Sequence, residues 1–242
     1  MRIGLAQIKP VKGDIVANIE SHIKLLSQAK ELSADAVFFP ELSITGYEPE
    51  LAEELAMTPA DQRLAIIQQF SDHSNMVIGL GAPIKTDSGI RISMLIFQPY
   101  KAMQIYSKQQ LHSDEFPYFE NGDKQIIIEL GSDRIAPAIC FESLQDNHAE
   151  TAHQLGASIY LASVAKSQSG IDKAMVHYPK IAKKYQIPVL MTNCIGYCDQ
   201  FLSVGQTAIW SKDGEVVGQL DNQTEGILIF DTENTESRIL NY

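Results

Sequence analysis

The sequence predicts an α/β domain organised as a four-layer α-β-β-α sandwich, in which two packed sheets are each covered on the outer face by helices. Three observations carry this. About a dozen strand-sized apolar segments stand against four amphipathic helices, too much sheet for one layer with helices on both faces. The segments run in what looks like two passes of one pattern. No low-complexity linker or Pro/Gly-rich hinge interrupts the 242 residues, so a single domain is expected over 1–242, near the ~250-residue size of large α/β domains. Periodicity alone reads only as sheet-rich α/β; the element count decides for two sheets.

In order, Arg2–Ile8 alternates as a first strand. Asp14 then opens a long helix as its N-cap, with Ile15, Ile19, Ile23 and Leu26 on one face. Ala36–Phe39 is a buried strand. Thr58-Pro59-Ala60-Asp61 combines an N-cap, a proline at the first helical position and an acid in the first turn; Leu64, Ile67 and Phe70 give that helix its apolar side. Strands follow at Met76–Ala82, Ile92–Gln98 and Met103–Tyr106, with Asp87-Ser88-Gly89 turning between the first two. The second pass has strands at Gln125–Leu130 and Arg134–Ile139, then a helix from Asp146 to Leu155 that Gly156 ends. Ser158–Ala162 is a strand, Ile171–Tyr185 a helix and Val189–Asn193 another strand. Gln206–Trp210, Glu215–Leu220 and Gly226–Phe230 close the domain, with an Asp213-Gly214 hairpin turn between the first two.

Hydrophobic content of 45% and charged content of 20% are those of an ordinary soluble globular chain. The net charge of −11 comes without any Lys/Arg-rich stretch, which argues against a nucleic-acid partner. The apolar runs are strand-sized, far below the ~20 residues of a membrane span. The N-terminus lacks the apolar core and cleavage site of a signal peptide. Three cysteines without a framework spacing point to a reducing compartment, so a cytoplasmic location is expected.

Three segments each deliver one reactive side chain directly after a strand-like run: Ala36-Val37-Phe38-Phe39-Pro40-Glu41, Met103-Gln104-Ile105-Tyr106-Ser107-Lys108 and Ile135-Ala136-Pro137-Ala138-Ile139-Cys140. Strands of a sheet finish along a common edge, so a carboxylate, an ammonium and a thiol so placed can meet in one cleft. Together they can run nucleophilic acyl chemistry, with a sulfur to attack, a base to move protons and a cation to hold an oxyanion. Cys140 lies just before a helix, where the dipole and free N–H groups favour a thiolate. Burial of Glu41 would raise its pKa toward the range of a general base. Lys108 beside a carboxylate stays protonated, which suits electrostatic stabilisation.

These segments resemble the nitrilase, or carbon–nitrogen hydrolase, superfamily, whose triad is Glu-Lys-Cys in that chain order. Phe39-Pro40-Glu41-Leu42 with Thr45-Gly46-Tyr47 looks like the first family motif. Tyr106-Ser107-Lys108, with Leu111 and Phe119…Gly122-Asp123, looks like the second, and Ile139-Cys140-Phe141-Glu142 like the third. Later elements extend the likeness through Gly156-Ala157, Tyr160–Ser163, Asn193-Cys194-Ile195-Gly196 and Gly205–Trp210. The resemblance implies that Cys140 attacks an amide or nitrile carbon to form an acyl enzyme and that Glu41 shuttles protons. Lys108 and the backbone N–H of Phe141 would stabilise the oxyanion, worth ~3–4 kcal/mol per donor. A second glutamate after the lysine often lines such sites; Glu115 is the best match, with Asp114 adjacent. Tyr47, Phe116, Ser163 and Asn193 mark the loops expected to bind substrate. Ser107, where many relatives carry arginine, and Gln109-Gln110 depart from the usual pattern, so no one subfamily's specificity transfers.

Competing motifs are weaker. His148 and His153 are five apart and diverge around a helix, so they do not make a zinc-protease pair. Cys194 and Cys198 have no second thiol pair to complete a metal site and read as loop thiols near the cleft. Gly79-Leu80-Gly81 lacks the third glycine of a dinucleotide fingerprint. Lys166-Ser167-Gln168-Ser169-Gly170 faintly suggests a Ser/Lys amidase, but reads better as a polar loop facing the Cys140 cleft.

The expectation is a thiol hydrolase, without cofactor or metal, that uses water to release ammonia or an amine from a small linear carboxamide. An N-carbamoyl amine is the next choice and a nitrile a lesser one. A catalytically silent binding protein on the same scaffold is the rival of a different class; the intact Glu41, Lys108 and Cys140 argue against it. A glutaminase serving a fused synthetase is disfavoured, since the 242 residues hold no second domain. By analogy with the family, a homodimer or larger homo-oligomer is expected, and neither a nucleic-acid nor a membrane partner.

Overall fold

The computed structural model describes residues 1–241. In chain order the strands are β1 (Arg2–Gln7), β2 (Ala36–Phe38), β3 (Val77–Lys85), β4 (Ile90–Phe97), β5 (Gln104–Ser107), β6 (Ile128–Leu130), β7 (Asp133–Ile139), β8 (Ile159–Val164), β9 (Val189–Asn193), β10 (Ile195–Cys198), β11 (Phe201–Val204), β12 (Ala208–Trp210), β13 (Val216–Gln219), β14 (Gly226–Asp231) and β15 (Ser237–Asn241). The helices are α1 (Ile15–Glu31), α2 (Ala52–Leu55), α3 (Ala65–Ser74), α4 (Asp146–Gln154) and α5 (Gln168–Tyr185). No described helix is long and apolar enough to cross a membrane.

Seven strands form one sheet in the order β15-β14-β1-β2-β3-β4-β5, and six form the other in the order β13-β12-β9-β8-β7-β6. In each sheet a parallel trio is linked by crossover helices and flanked by antiparallel strands. The trio is β1, β2 and β3, joined through α1 and α3, in the first sheet, and β7, β8 and β9, joined through α4 and α5, in the second. These are the two passes legible in the sequence.

Parallel strands covered on both faces must be apolar on both. Residues of β2 and β8 are accordingly buried throughout. Ile3, Leu5 and Phe38 of the first sheet meet Ile135, Leu161 and Leu190 of the second in a core between the sheets. Ile19 and Leu26 of α1 and Ile67 of α3 cover the outer face of the first sheet. Ala149 of α4 with Ile171, Tyr178 and Ile181 of α5 cover the second, where Tyr178 meets Trp210 edge-on at 5.1 Å between centroids. Helix, sheet, sheet, helix is the predicted order of layers.

Three local expectations change. Thr58 caps no helix; Asp61 does so, accepting the Arg63 N–H at 2.9 Å to open a short 3-10 turn that runs into α3. β6 starts at Ile128 rather than Gln125, because the facing strand offers Pro137, which has no N–H, and the Gln125 side-chain amide takes the Pro137 carbonyl at 2.6 Å instead. Residues 195–204, expected as loop, pair as the β10–β11 hairpin, and β15 adds an edge strand beside β14.

Candidate active site

The reactive residues come from both sheets. Glu41 follows β2 and Lys108 follows β5 in the first sheet, while Cys140 follows β7 in the second. They converge in the seam where the sheets face each other.

Glu41 sits in a tight turn in which Leu42 takes the left-handed conformation, φ 50°. The Ser43 N–H closes the turn on the Pro40 carbonyl at 3.2 Å, and the Ile44 N–H reaches the Gly81 carbonyl of β3 at 3.0 Å. A Cβ at Gly81 would lie 2.3 Å from the Leu42 nitrogen and 2.6 Å from the Pro40 oxygen, so only glycine lets β3 pass this close. Beneath the turn, the buried His22 ring stacks on Phe39 at 4.1 Å and bonds the Ser43 hydroxyl at 2.9 Å.

Lys108 is held by its backbone, its N–H donating to the Ile92 carbonyl at 2.9 Å and its carbonyl accepting from the Gly122 N–H at 2.6 Å. The ammonium is fully buried and donates to Glu41 Oε1 at 2.8 Å and Glu115 Oε1 at 2.6 Å. Glu115 also accepts from the Tyr47 hydroxyl at 2.9 Å and, through Oε2, from the His112 N–H at 2.7 Å. Asp114 turns outward onto the His112 ring. Glu115, not Asp114, is thus the acid beside the lysine.

Cys140 follows β7 with φ 46° and opens a short 3-10 helix through Leu144. A left-handed non-glycine residue costs ~1–3 kcal/mol and needs surroundings that enforce it. Glu142 supplies them. Its Oε1 accepts from the Ile139 N–H at 2.7 Å and the Tyr106 hydroxyl at 2.6 Å; its Oε2 accepts from the Gln109 N–H at 2.6 Å. One buried carboxylate therefore ties the cysteine turn to the chain on either side of Lys108. His148 completes this cluster, bonding the Tyr106 and Tyr160 hydroxyls at 2.9 and 2.8 Å. His153 instead stacks on Tyr185.

Burial penalises the charged Lys108, but attraction from Glu41 and Glu115 outweighs it and holds the ammonium protonated. Burial raises Glu41, with Lys108 opposing and Glu115 reinforcing. Burial, joined by Glu41, pushes the Cys140 thiol up to about 11 against the pull of Lys166 and Lys108. The helix-end argument for a lowered thiol is thereby reversed: a short 3-10 turn is a weak dipole, and desolvation beside a carboxylate overrides it. Glu41 Oε1 is taken by Lys108, while Oε2 accepts from no hydrogen-bond donor among the described residues. The resting pair is a neutral thiol beside a carboxyl group with an oxygen to spare.

A cavity of about 930 Å³ opens above this group, lined by Tyr47, Cys140, Phe141 and Phe201 and, on α5 and the loop before it, by Lys166 and His177. The other expected binding residues are placed differently. Ser163 is buried behind the cleft, its hydroxyl donating to the Phe39 carbonyl at 2.8 Å. Asn193 is buried too and accepts the Lys166 N–H at 2.9 Å. Phe116 is 59% exposed and lies outside the cavity lining. Cys194, just before β10, and Cys198, at its end, are buried with their sulfurs 3.5 Å apart.

Glu142 gains a role that the sequence reading did not give it, having stood inside the cysteine motif without one. The Lys166–Gly170 loop faces the Cys140 cleft as expected; what the reading lacked is a role for Lys166 itself, which follows the buried strand β8 by two residues and has its ammonium 3.8 Å from the Cys140 sulfur. That strand-end position was the available signal.

A family model described as carbon-nitrogen hydrolase matches residues 2–237. Among curated proteins, the chain is 24% identical to a glutamine-dependent NAD(+) synthetase of Thermotoga maritima, across 98% of this chain and 43% of the synthetase. It is 22% identical to a nitrilase of Pyrococcus abyssi, across 94% of this chain and 87% of the nitrilase. The chain spans less than half the length of the synthetases it matches. Among solved structures, the NitN amidase of Nesterenkonia sp. AN1 superposes with a TM-score of 0.87 at 19% identity, covering 97% of this chain and 93% of the amidase.

Proposed function

The chain belongs to the carbon–nitrogen hydrolase family, and on that premise we propose that it hydrolyses small linear carboxamides through a Cys140 acyl enzyme. The observation that supports this reading is that the buried Glu41–Lys108 pair lies against Cys140, which lines the cavity. As a family member the chain is an enzyme acting on C–N bonds.

In the proposed cycle, Glu41 takes the thiol proton as the sulfur attacks the amide carbon. Neither group has to ionise alone, since the proton passes between two neighbouring sites whose pKa values are both raised. Lys108 has three N–H bonds, and the two glutamates occupy two of them. The third is available to the oxyanion, together with the Phe141 N–H, which as part of a helix's first turn has no intrahelical acceptor. Collapse of the tetrahedral adduct breaks the C–N bond, and Glu41 returns its proton to the departing nitrogen. Water then enters, gives a proton to Glu41 and attacks the thioester; the C–S bond breaks as the acid leaves, and Glu41 returns the proton to the sulfur.

The curated synthetases favour a second reading, in which the amide is the side chain of glutamine and the ammonia serves a synthetase. Ammonia release from purified protein over aliphatic amides, glutamine, N-carbamoyl amines and nitriles separates these readings. The favoured outcome is turnover of small amides that Cys140→Ala abolishes while thermal unfolding stays in place. Activity surviving that substitution would remove the nucleophile assignment. Absence of any labelling of Cys140 by an electrophilic amide would favour the silent binding protein.

A further inference from the structure

Lys166 is a buried charge that the cycle above leaves unused. It is 5% exposed and lines the cavity. Among the described residues its ammonium makes two long contacts, to the Cys140 carbonyl at 3.5 Å and the Cys140 sulfur at 3.8 Å. No carboxylate of the described residues is within ion-pair reach of it, in contrast to Lys108, which has two. A buried ammonium without a partner is costly, and a site that keeps one has a use for its charge.

The lysine is also held in place. Asn193 accepts its N–H at 2.9 Å and donates to its carbonyl at 3.2 Å, and the Ser203 hydroxyl donates to the same carbonyl at 3.1 Å. A Cβ at Gly170 would sit 3.1 Å from Lys166 Cβ and 3.3 Å from its Cγ, so the glycine leaves room for the stem. Farther out, Lys173, His177 and Lys180 line the same cavity from one face of α5. The acids on the wall are already engaged, Asp114 by His112 and Asp172 by the Gln168 amide at 2.9 Å. A protein of net charge −11 thus turns three lysines, Lys166, Lys173 and Lys180, into this cleft, while His177 lies 3.9 Å from Asp146.

We propose that Lys166 is an anion-recognition residue and that the substrate is a carboxamide carrying its own carboxylate. This rests on the hydrolase reading and narrows its substrate class. With the ammonium so near the sulfur, and a charge-assisted bond of ~2.8 Å to the carboxylate, roughly two to four carbons separate acid from amide.

Succinamate and butyramide test this, since they differ by a carboxylate in place of a methyl group. The wild-type protein should show a kcat/KM for succinamate at least about tenfold above that for butyramide. Lys166→Met should reduce that ratio by about ten- to a hundredfold, the range for a charged hydrogen bond, and Lys166→Arg should restore most of it. Calorimetry of both amides on Cys140→Ala, with and without Lys166→Met, reads the same preference without turnover. Failure to hydrolyse either amide would count against the hydrolase reading, while the calorimetric difference still decides on Lys166. A wild-type preference for butyramide, or a ratio and a binding difference that Lys166→Met leaves unchanged, overturns the proposal. So does a Lys166→Met protein in which only the pH profile of Cys140 alkylation moves, because the ammonium would then serve the sulfur alone.

Discussion

Glu142 accepts from the Tyr106 hydroxyl and the Ile139, Gln109 and Gln110 N–H groups with one carboxylate, and its own titration should be visible in the stability of the fold. Burial raises its pKa to about 7 from 4.5, against hydrogen bonds from Tyr106, Ile139 and Gln109 that lower it. The folded state therefore holds a proton that the unfolded chain gives up. Its contribution is full below pH 4.5 and is lost as pH rises through about 7, in total about 3 kcal/mol. Urea unfolding at pH 5 and pH 7.5 should show that decline in the wild type and a flatter profile in Glu142→Gln. Equal declines would mean that this carboxyl is ionised throughout. Glu41 offers a paired test. Its charge raises the Cys140 thiol, so Glu41→Gln should move the midpoint of iodoacetamide labelling below about 11. The same change should lower amide turnover by about a hundredfold or more, because the base is gone. Labelling and turnover moving together would break the acid–base assignment.

Glu41 and Lys108 are each aimed by the strand before them and by a glycine that lets a neighbouring segment close in, Gly81 for one and Gly122 for the other. At Gly81 of β3 an added Cβ would meet only backbone of the Glu41 turn, which cannot swing aside as a side chain could. Gly81→Ala is expected to cost at least about 1–3 kcal/mol in urea unfolding and to abolish turnover; a fully active, equally stable variant would show that this approach is not needed. The elements that were readable beforehand were those with one dominant signal. Ala36–Phe38 and Ile159–Val164 are apolar runs of strand length, and α1 has a capping aspartate and a clean apolar stripe. The β10–β11 hairpin was not readable, because its residues alternate poorly and its turn carries no Asn-Gly or Asp-Gly pair. The start of α3 was misplaced because Thr58 and Asp61 both resemble caps, and only packing chooses between them. At the site, motif order pointed to Glu41, Lys108 and Cys140. Phe116 lies in a loop expected to face substrate, but the turn that buries Glu115 exposes Phe116.

The cleft is a property of the two sheets together, since Glu41 and Lys108 belong to one and Cys140 and Lys166 to the other. Any change that lets the sheets slide should damage chemistry before it unfolds either half. Gln7, at the end of β1, is the buried clamp to test. Its side chain accepts the Thr207 N–H at 3.1 Å and donates to the carbonyls of Asp221 and Thr224 at 2.9 and 2.8 Å, fixing the crossing between the second sheet and β14. Gln7→Leu keeps the bulk and removes the bonds. The Asp221 carbonyl keeps the Gln206 N–H, so two backbone groups lose this partner, at ~1–3 kcal/mol each. Unfolding in urea should therefore come earlier by roughly 2–6 kcal/mol. Amide hydrolysis should fail at a lower urea concentration than the far-ultraviolet circular dichroism, whereas the two should coincide in the wild type. Coincident curves in Gln7→Leu would place the weak point inside a sheet instead of between the sheets, and the geometry of Glu41, Lys108 and Cys140 would then owe nothing to this clamp.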